Sequence, residues 1–342
     1  MLRGLAQTPA TCRLGVDIGG TFTDAALDVG GVITSAKVLT DYDAHERAVF
    51  AAIKTVTEAA GVEPSDIGTI IHGTTLATNA LIERRGARTA FITTEGFRDV
   101  IEMRTENRFE QYDLDLVLPP PLIARADRFT LRERMGADGS VLIAPDVEEM
   151  RTLARRIEGA GYESVAVGFL HSYANDAHEK LMGDVLQSVA PGLSVSLSAE
   201  VSPKMREYER FNTVCANAYV RPPIAAYLSR LQAALTGEGI TCPLFVMHSG
   251  GGVVSLETAM EFPVRLVESG PAGGAMFAAE IARRHGLDAA LSFDLGGTTA
   301  KICLIESGAP QTAERFEVAR SYRFKKGSGM PISIPVVDMV EI

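Results

Sequence analysis

Two stretches of the chain combine an acid, a glycine pair and threonines in an order suited to holding phosphate. Val16-Asp17-Ile18-Gly19-Gly20-Thr21-Phe22-Thr23 recurs 277 residues later as Phe293-Asp294-Leu295-Gly296-Gly297-Thr298-Thr299-Ala300. Each copy ends an apolar run in Asp, turns on two glycines and continues into a second apolar run. Glycines let backbone N–H groups approach a phosphate closely, and the hydroxyls of Thr21, Thr23, Thr298 and Thr299 can add donors. Each Asp stands where its carboxylate can hold hydrated Mg²⁺. Two such turns facing each other would clamp a polyphosphate from both sides, and phosphoryl transfer needs little beyond that positioning and charge neutralisation. A single Asp-x-Gly-Gly is also an ordinary hairpin turn; its repetition in the same strand context favours phosphate. There is no G-x-x-x-x-G-K-S/T, and no strand, G-x-G-x-x-G, helix unit, which sets aside a P-loop and disfavours dinucleotide binding.

Other polar residues are open to two readings. His72, Thr74, Thr75 and Asn79 open a helix, a natural place for a small anionic or amide ligand, or equally a loop histidine with a threonine cap. His171 and His178 are seven apart, which is not the spacing of a helical metal pair, and read as structural. Tyr208, Glu209 and Arg210 read as a solvated helix start. Cys12, Cys215, Cys242 and Cys303 form no C-x-x-C pair; they read as small buried hydrophobes, without zinc or a disulfide framework, in a reducing cytoplasm.

The elements that must position these residues alternate. Leu14 to Leu39, broken by Gly19-Gly20 and Gly30-Gly31, reads as a three-stranded antiparallel meander. Helices are expected over 43–60, 147–160, 176–189, 212–235 and 272–284, and strands over 69–71, 90–93, 164–170, 194–198, 244–247, 290–294 and 301–305. Pro222 and Pro223 predict a break or restart in the helix over 212–235. The charged stretch 104–134, with Pro119, Pro120 and Pro121, reads as an inserted, partly irregular segment. The class is α/β with mixed sheets. Of 342 residues, 46% are hydrophobic and 22% charged, enough to bury a core, and the length favours two domains. The 33 Lys and Arg against 43 Asp and Glu give a formal charge of −10, which argues against nucleic acid as a main partner. No apolar stretch approaches the roughly 20 residues that span a bilayer.

With the residues in view, the two turns resemble the phosphate-1 and phosphate-2 loops of the actin, Hsp70 and sugar kinase ATPases, and Glu268 to Ala275 resembles the first connecting helix of that superfamily. More closely, the chain is similar to the hydantoinase A/5-oxoprolinase family in Asp17–Asp24, His72–Ala80, Gly168–Ala174, Arg206–Arg210, Asn217–Val220, Pro263–Gly274 and Asp294–Lys301. Lys204 departs from the family pattern, which has an acid there. The resemblance implies actin/Hsp70-like (ribonuclease H-like) mixed-sheet lobes: a disordered leader over 1–13, a first ATPase lobe over 14–200 with an insert at about 104–145, and the start of a second lobe over 201–342. Family subunits continue beyond this point, where a further glycine-rich segment lines the adenosine pocket, so the second lobe is expected to be incomplete.

The resemblance also implies ATP and Mg²⁺, with Asp17, Asp294 and Glu268 catalytic and Asp17 and Asp294 on the metal. Gly19, Gly20, Thr21, Thr23, Gly270, Gly296, Gly297, Thr298, Thr299 and Lys301 would bind the nucleotide. The implied reaction is activation of a cyclic amide (hydantoin, lactam or 5-oxoproline) for ring opening with a hydantoinase B-like partner subunit. The alternatives are an ATP-dependent carboxylase subunit of the acetone or acetophenone type, or an inactive paralogue acting in assembly.

Overall fold

The computed structural model describes residues 12–41, 44–105, 109–295, 300–322 and 325–341. The expected meander forms from Cys12–Ile18, Phe22–Val29 and Val32–Leu39, antiparallel with Asp17 opposite Asp24. The strand Thr69–Thr74 lies parallel to Cys12–Ile18 on its other side, so that Asp17 faces Gly73. Leu244–Met247 and Val253–Ser255 extend the same sheet to six strands, so this sheet draws on both sides of residue 200. Alternation explains the arrangement: Leu14, Val16 and Ile18 point to one face and are buried.

A second sheet is wholly parallel, in the order Ser194–Leu197, Ser164–Gly168, Thr89–Thr94, Arg128–Leu131. Its last strand comes from within the segment read as an insert, where buried Leu131 and the buried stem of Arg128 supply apolar surface. Helices Val147–Gly159 and Ala177–Val189 cover one face; against the other lies the 31-residue helix Glu207–Gly237, which shares one continuous core with the first sheet. Sheets of both kinds give the mixed α/β class expected.

The long helix runs unbroken through Pro222 and Pro223, against the expected break. A proline at 223 has no N–H for the carbonyl of Tyr219. That carbonyl instead accepts from Ala87 N at 2.9 Å. The approach depends on Gly86: a Cβ there would lie 2.5 Å from Tyr219 O and collide with its ring.

The second Asp-Gly-Gly copy ends the strand Ala289–Leu295, which pairs with Ala300–Glu306 in a separate small sheet joined by Ala309–Pro310 and Val340–Glu341. Helix Ser269–Arg284 packs on one face through Ala275, Ala279 and Ala282. On the other face Leu291, Phe293 and Leu295 are 67%, 60% and 70% exposed. All four cysteines are free thiols, three of them buried. No helix among the described residues is long and apolar enough to cross a membrane.

Candidate functional site

Both hairpins place their acid at the same register position, Asp17 opposite Asp24 and Asp294 opposite Lys301. They converge on the start of helix Ser269–Arg284. Asp17 Oδ1 is buried and has no hydrogen-bond partner among the described residues. A Cβ on Gly73 would come within 2.5 Å of that oxygen, so the glycine leaves the space around the carboxylate open, and the Gly270 position lies beside the same oxygen, where a Cβ would make an ordinary 3.9 Å contact. Burial raises the pKa of Asp17, and the nearby charges of Asp24 and then Asp294 raise it further, partly opposed by Lys37. Asp294 is therefore within electrostatic reach of Asp17.

Glu268 stands just before the helix in the left-handed region, φ 66°. Its amide donates to Thr78 Oγ1 at 3.1 Å, and Ser269 Oγ donates to Thr74 O at 3.3 Å, which fixes the helix start to the end of the strand beside Asp17. The Glu268 carboxylate forms an ion pair with Lys301 Nζ, both side chains mostly buried. One helix start thus meets the second hairpin and the strand that flanks the first. A buried carboxylate oxygen without a partner among the described residues, a second acid within electrostatic reach and a glycine in place of a side chain at 73 leave an open, electronegative space beside Asp17.

The turn residues are used unevenly. The Gly19 amide, expected as an anion donor, closes the turn on Phe22 O at 3.0 Å, and its carbonyl accepts from Thr40 Oγ1. Thr23 is buried with its hydroxyl 3.1 Å from that of Thr40, so it braces the hairpin from inside. Gly20 and Thr21 are exposed at the tip. Gly296, Gly297, Thr298 and Thr299 lie outside the described residues.

His72 does not face the cleft. It is 1% exposed; its Nδ1 donates to Val16 O at 3.3 Å and its Nε2 accepts from the Tyr227 hydroxyl at 2.9 Å, so neither ring nitrogen is left for a ligand. Burial lowers its pKa to about 4. Thr74 Oγ1 accepts from Leu76 N, Thr75 Oγ1 donates to Ile18 O, and Asn79 Nδ2 donates to Thr75 Oγ1. These three lie near Asp17 as ties between strand and helix. His178 is structural as expected, with Nδ1 2.7 Å from Glu133 Oε2 in the buried side of the second sheet.

The solvated helix start expected at Tyr208–Arg210 is overturned. Arg210 is fully buried and donates to Phe169 O at 2.8 Å, Ser198 Oγ at 3.1 Å and Lys204 O at 3.0 Å. Buried Glu179 accepts from Phe169 N, Ser198 Oγ and Ala199 N, completing a polar staple between second sheet and long helix. Glu209 is 7% exposed and, with Tyr208 and Arg206, lines a cleft of about 1320 Å³. The same cleft is lined by Glu268 and Lys301, by Arg104 from the inserted segment and by Arg315 from the last third of the chain. Sequence reading missed this cleft; its one signal was the charge-dense run Arg206–Arg210.

Comparison with known proteins gives a consistent result. The hydantoinase/oxoprolinase N-terminal region matches residues 13–190, and the hydantoinase/oxoprolinase region matches residues 210–342. An uncharacterized protein of Methanocaldococcus jannaschii is 36% identical over 96% of this chain and 49% of its own length. Caprolactamase subunit alpha of Pseudomonas jessenii is 30% identical over 86% of this chain and 44% of its own. The solved structure of the ATP-dependent caprolactamase of that organism superposes with a TM-score of 0.82 at 26% identity, over 96% of this chain and 48% of the other. A nucleotide-free acetone carboxylase shares the fold, with a TM-score of 0.83 at 24% identity over 97% of this chain and 48% of the other. The chain spans about half the length of these relatives.

Proposed function

Because this chain belongs to the hydantoinase/oxoprolinase family, we propose that it is the nucleotide-using part of an ATP-dependent enzyme that activates the carbonyl of a cyclic amide for ring opening. The observation that carries the reading is the convergence of both Asp-Gly-Gly hairpins on one helix start, with an orphaned Asp17 oxygen, the field of Asp294 and the Glu268–Lys301 pair in one place. An Asp17 oxygen without a partner among the described residues, in a group pushed towards protonation first by burial and then by two like charges, is what a bound cation and polyphosphate would relieve.

The chemistry follows from the amide. Its nitrogen lone pair is delocalised into the carbonyl, so water attacks slowly. Transfer of the terminal phosphoryl group of ATP to the carbonyl oxygen forms an O–P bond, breaks the P–O bond to ADP and leaves a carbon that water attacks readily. Asp17 and Asp294 would hold Mg²⁺, which when bound neutralises phosphate charge. Lys301, in the mouth of the cleft, carries positive charge towards the same region, and Glu268 fixes its position. Gly270, at the helix start, lies beside Asp17. A hydantoinase B-like subunit would complete hydrolysis; the caprolactamase relative is itself named as one subunit of an assembly.

The test is ADP release by the complete assembly with and without ε-caprolactam, 5-oxoproline or hydantoin. Amide-stimulated release with one ring opened per ADP is expected. Release at the same rate without any amide overturns the coupling, and label from bicarbonate entering a ketone product assigns a carboxylase instead.

A further inference from the structure

We infer that Glu209 accepts the ring N–H of the cyclic amide, with Arg104 donating to its carbonyl, so that the start of the long helix is the substrate-reading wall of the cleft. This rests on the reading above and adds to it which residues recognise the amide. Glu209 is almost fully buried yet poorly bonded: its Oε1 receives one contact, from Arg315 Nη1 at 3.4 Å, and its Oε2 has no partner among the described residues. A carboxylate can accept about four hydrogen bonds, and leaving a buried acceptor unpaired forfeits its hydration without replacement. Arg104 shows the converse. Its Nη2 donates to Pro119 O, while its Nη1 is buried without a partner among the described residues.

Both residues sit close to one phenol: Arg104 lowers and Glu209 raises the pKa of Tyr208, beneath a larger upward push from burial. An unmet acceptor and an unmet donor thus belong to the wall of one cleft, which also opens on Glu268 and Lys301. Arg315, whose side chain is 65% exposed, reaches the buried Glu209 through that single long contact.

An acceptor beside a donor is the complement of one chemical edge. A ring holds its amide cis, so N–H and C=O lie side by side; an ester or ketone lacks the N–H, and an N-substituted lactam has lost it. The pairing also has a chemical use. As the carbonyl oxygen takes the phosphoryl group, positive charge builds on nitrogen and its proton becomes acidic. Glu209 accepts that proton as the O–P bond forms and ADP departs with the P–O electron pair, leaving a cyclic imidate phosphate with a C=N bond. The carbonyl oxygen has two lone pairs, one for Arg104 and one for phosphorus.

The experiment compares ε-caprolactam with N-methyl-ε-caprolactam in the complete assembly, for the wild type and for Glu209→Gln and Glu209→Asp. Wild type is expected to favour the N–H amide by about 10²-fold in kcat/KM, in the range of general-base catalysis. Glu209→Gln should lose about that factor on the N–H amide, chiefly in kcat, and little on the N-methyl amide; Glu209→Asp should recover part of it. A Glu209→Gln enzyme that keeps kcat/KM on the N–H amide, or loses both amides equally, overturns the inference while the proposed function stands. If no N–H cyclic amide stimulates ADP release in wild type, the proposed function itself fails.

Discussion

The two Asp-Gly-Gly hairpins share a strand register and differ in nearly everything around it. Asp17 looks across at another acid, Asp24, which is held by Lys37 from the third strand at 2.6 Å; Asp294 looks across at Lys301, which is held by Glu268 from the connecting helix. The first hairpin is embedded in a six-stranded sheet with Leu14, Val16, Ile18 and Leu27 buried. The second has a helix on one face and bare Leu291, Phe293 and Leu295 on the other. The same strand register is therefore deeply embedded and electronegative in one place, and lightly covered and charge-balanced in the other. The difference locates the electrostatic strain on Asp17.

That contrast can be broken by substitution. Leu27→Ala, in the first hairpin, should destabilise the chain by about 2–5 kcal/mol in urea unfolding, whereas Leu291→Ala in the second should stay within about 0.5 kcal/mol; equal costs would mean that the bare face is covered in solution. Asp17→Asn should reduce nucleotide turnover in the assembly by about 10²–10³-fold and at the same time raise the melting temperature, because a carboxylate with a raised pKa destabilises the fold when ionised. A lowered melting temperature would show that Asp17 is paired after all.

The first hairpin also carries a buried titration through His72, which bonds Val16. The folded-state pKa of about 4 lies below the unfolded value near 6.5, so the unfolded chain binds more protons in that window. Stability should be fully present above pH 6.5 and fall by about 3 kcal/mol as pH drops through 4, with the slope removed in His72→Gln. The smallest effect is expected from Asp24→Asn. Loss of its partly exposed pair with Lys37 should cost less than about 1 kcal/mol. Yet removal of the like charge opposite Asp17 should shift the acid limb of nucleotide binding to lower pH; an unmoved limb would separate the two acids.

The hairpins, most helices and the mixed class were legible because they rest on local signals: glycine pairs, alternation and helical spacing. What was not legible depends on partners far along the chain. Arg210 reads as solvated until Phe169 O and Ser198 Oγ are seen beside it. Arg128–Leu131 sits in a charged, proline-rich stretch, and only pairing with Thr89–Thr94 makes it a strand. His72, in a loop-like sequence beside two threonines, gave no hint that Tyr227 would take its second nitrogen. For the candidate site, the sequence pointed to Asp17, Asp294, Glu268 and Lys301. The space left by Gly73 and the unmet polar atoms of Glu209 and Arg104 exist only in three dimensions.

The proline pair in the long helix has a consequence for how the molecule opens. Because Tyr219 O is claimed by Ala87 N across a glycine gap, the link from helix Leu76–Ile82 to the strand Thr89–Thr94 is threaded onto the mid-point of the helix that the first two sheets share. The Ala87 amide should then exchange with deuterium only on unfolding of that helix, among the slowest in the chain, although it belongs to a short connection between elements.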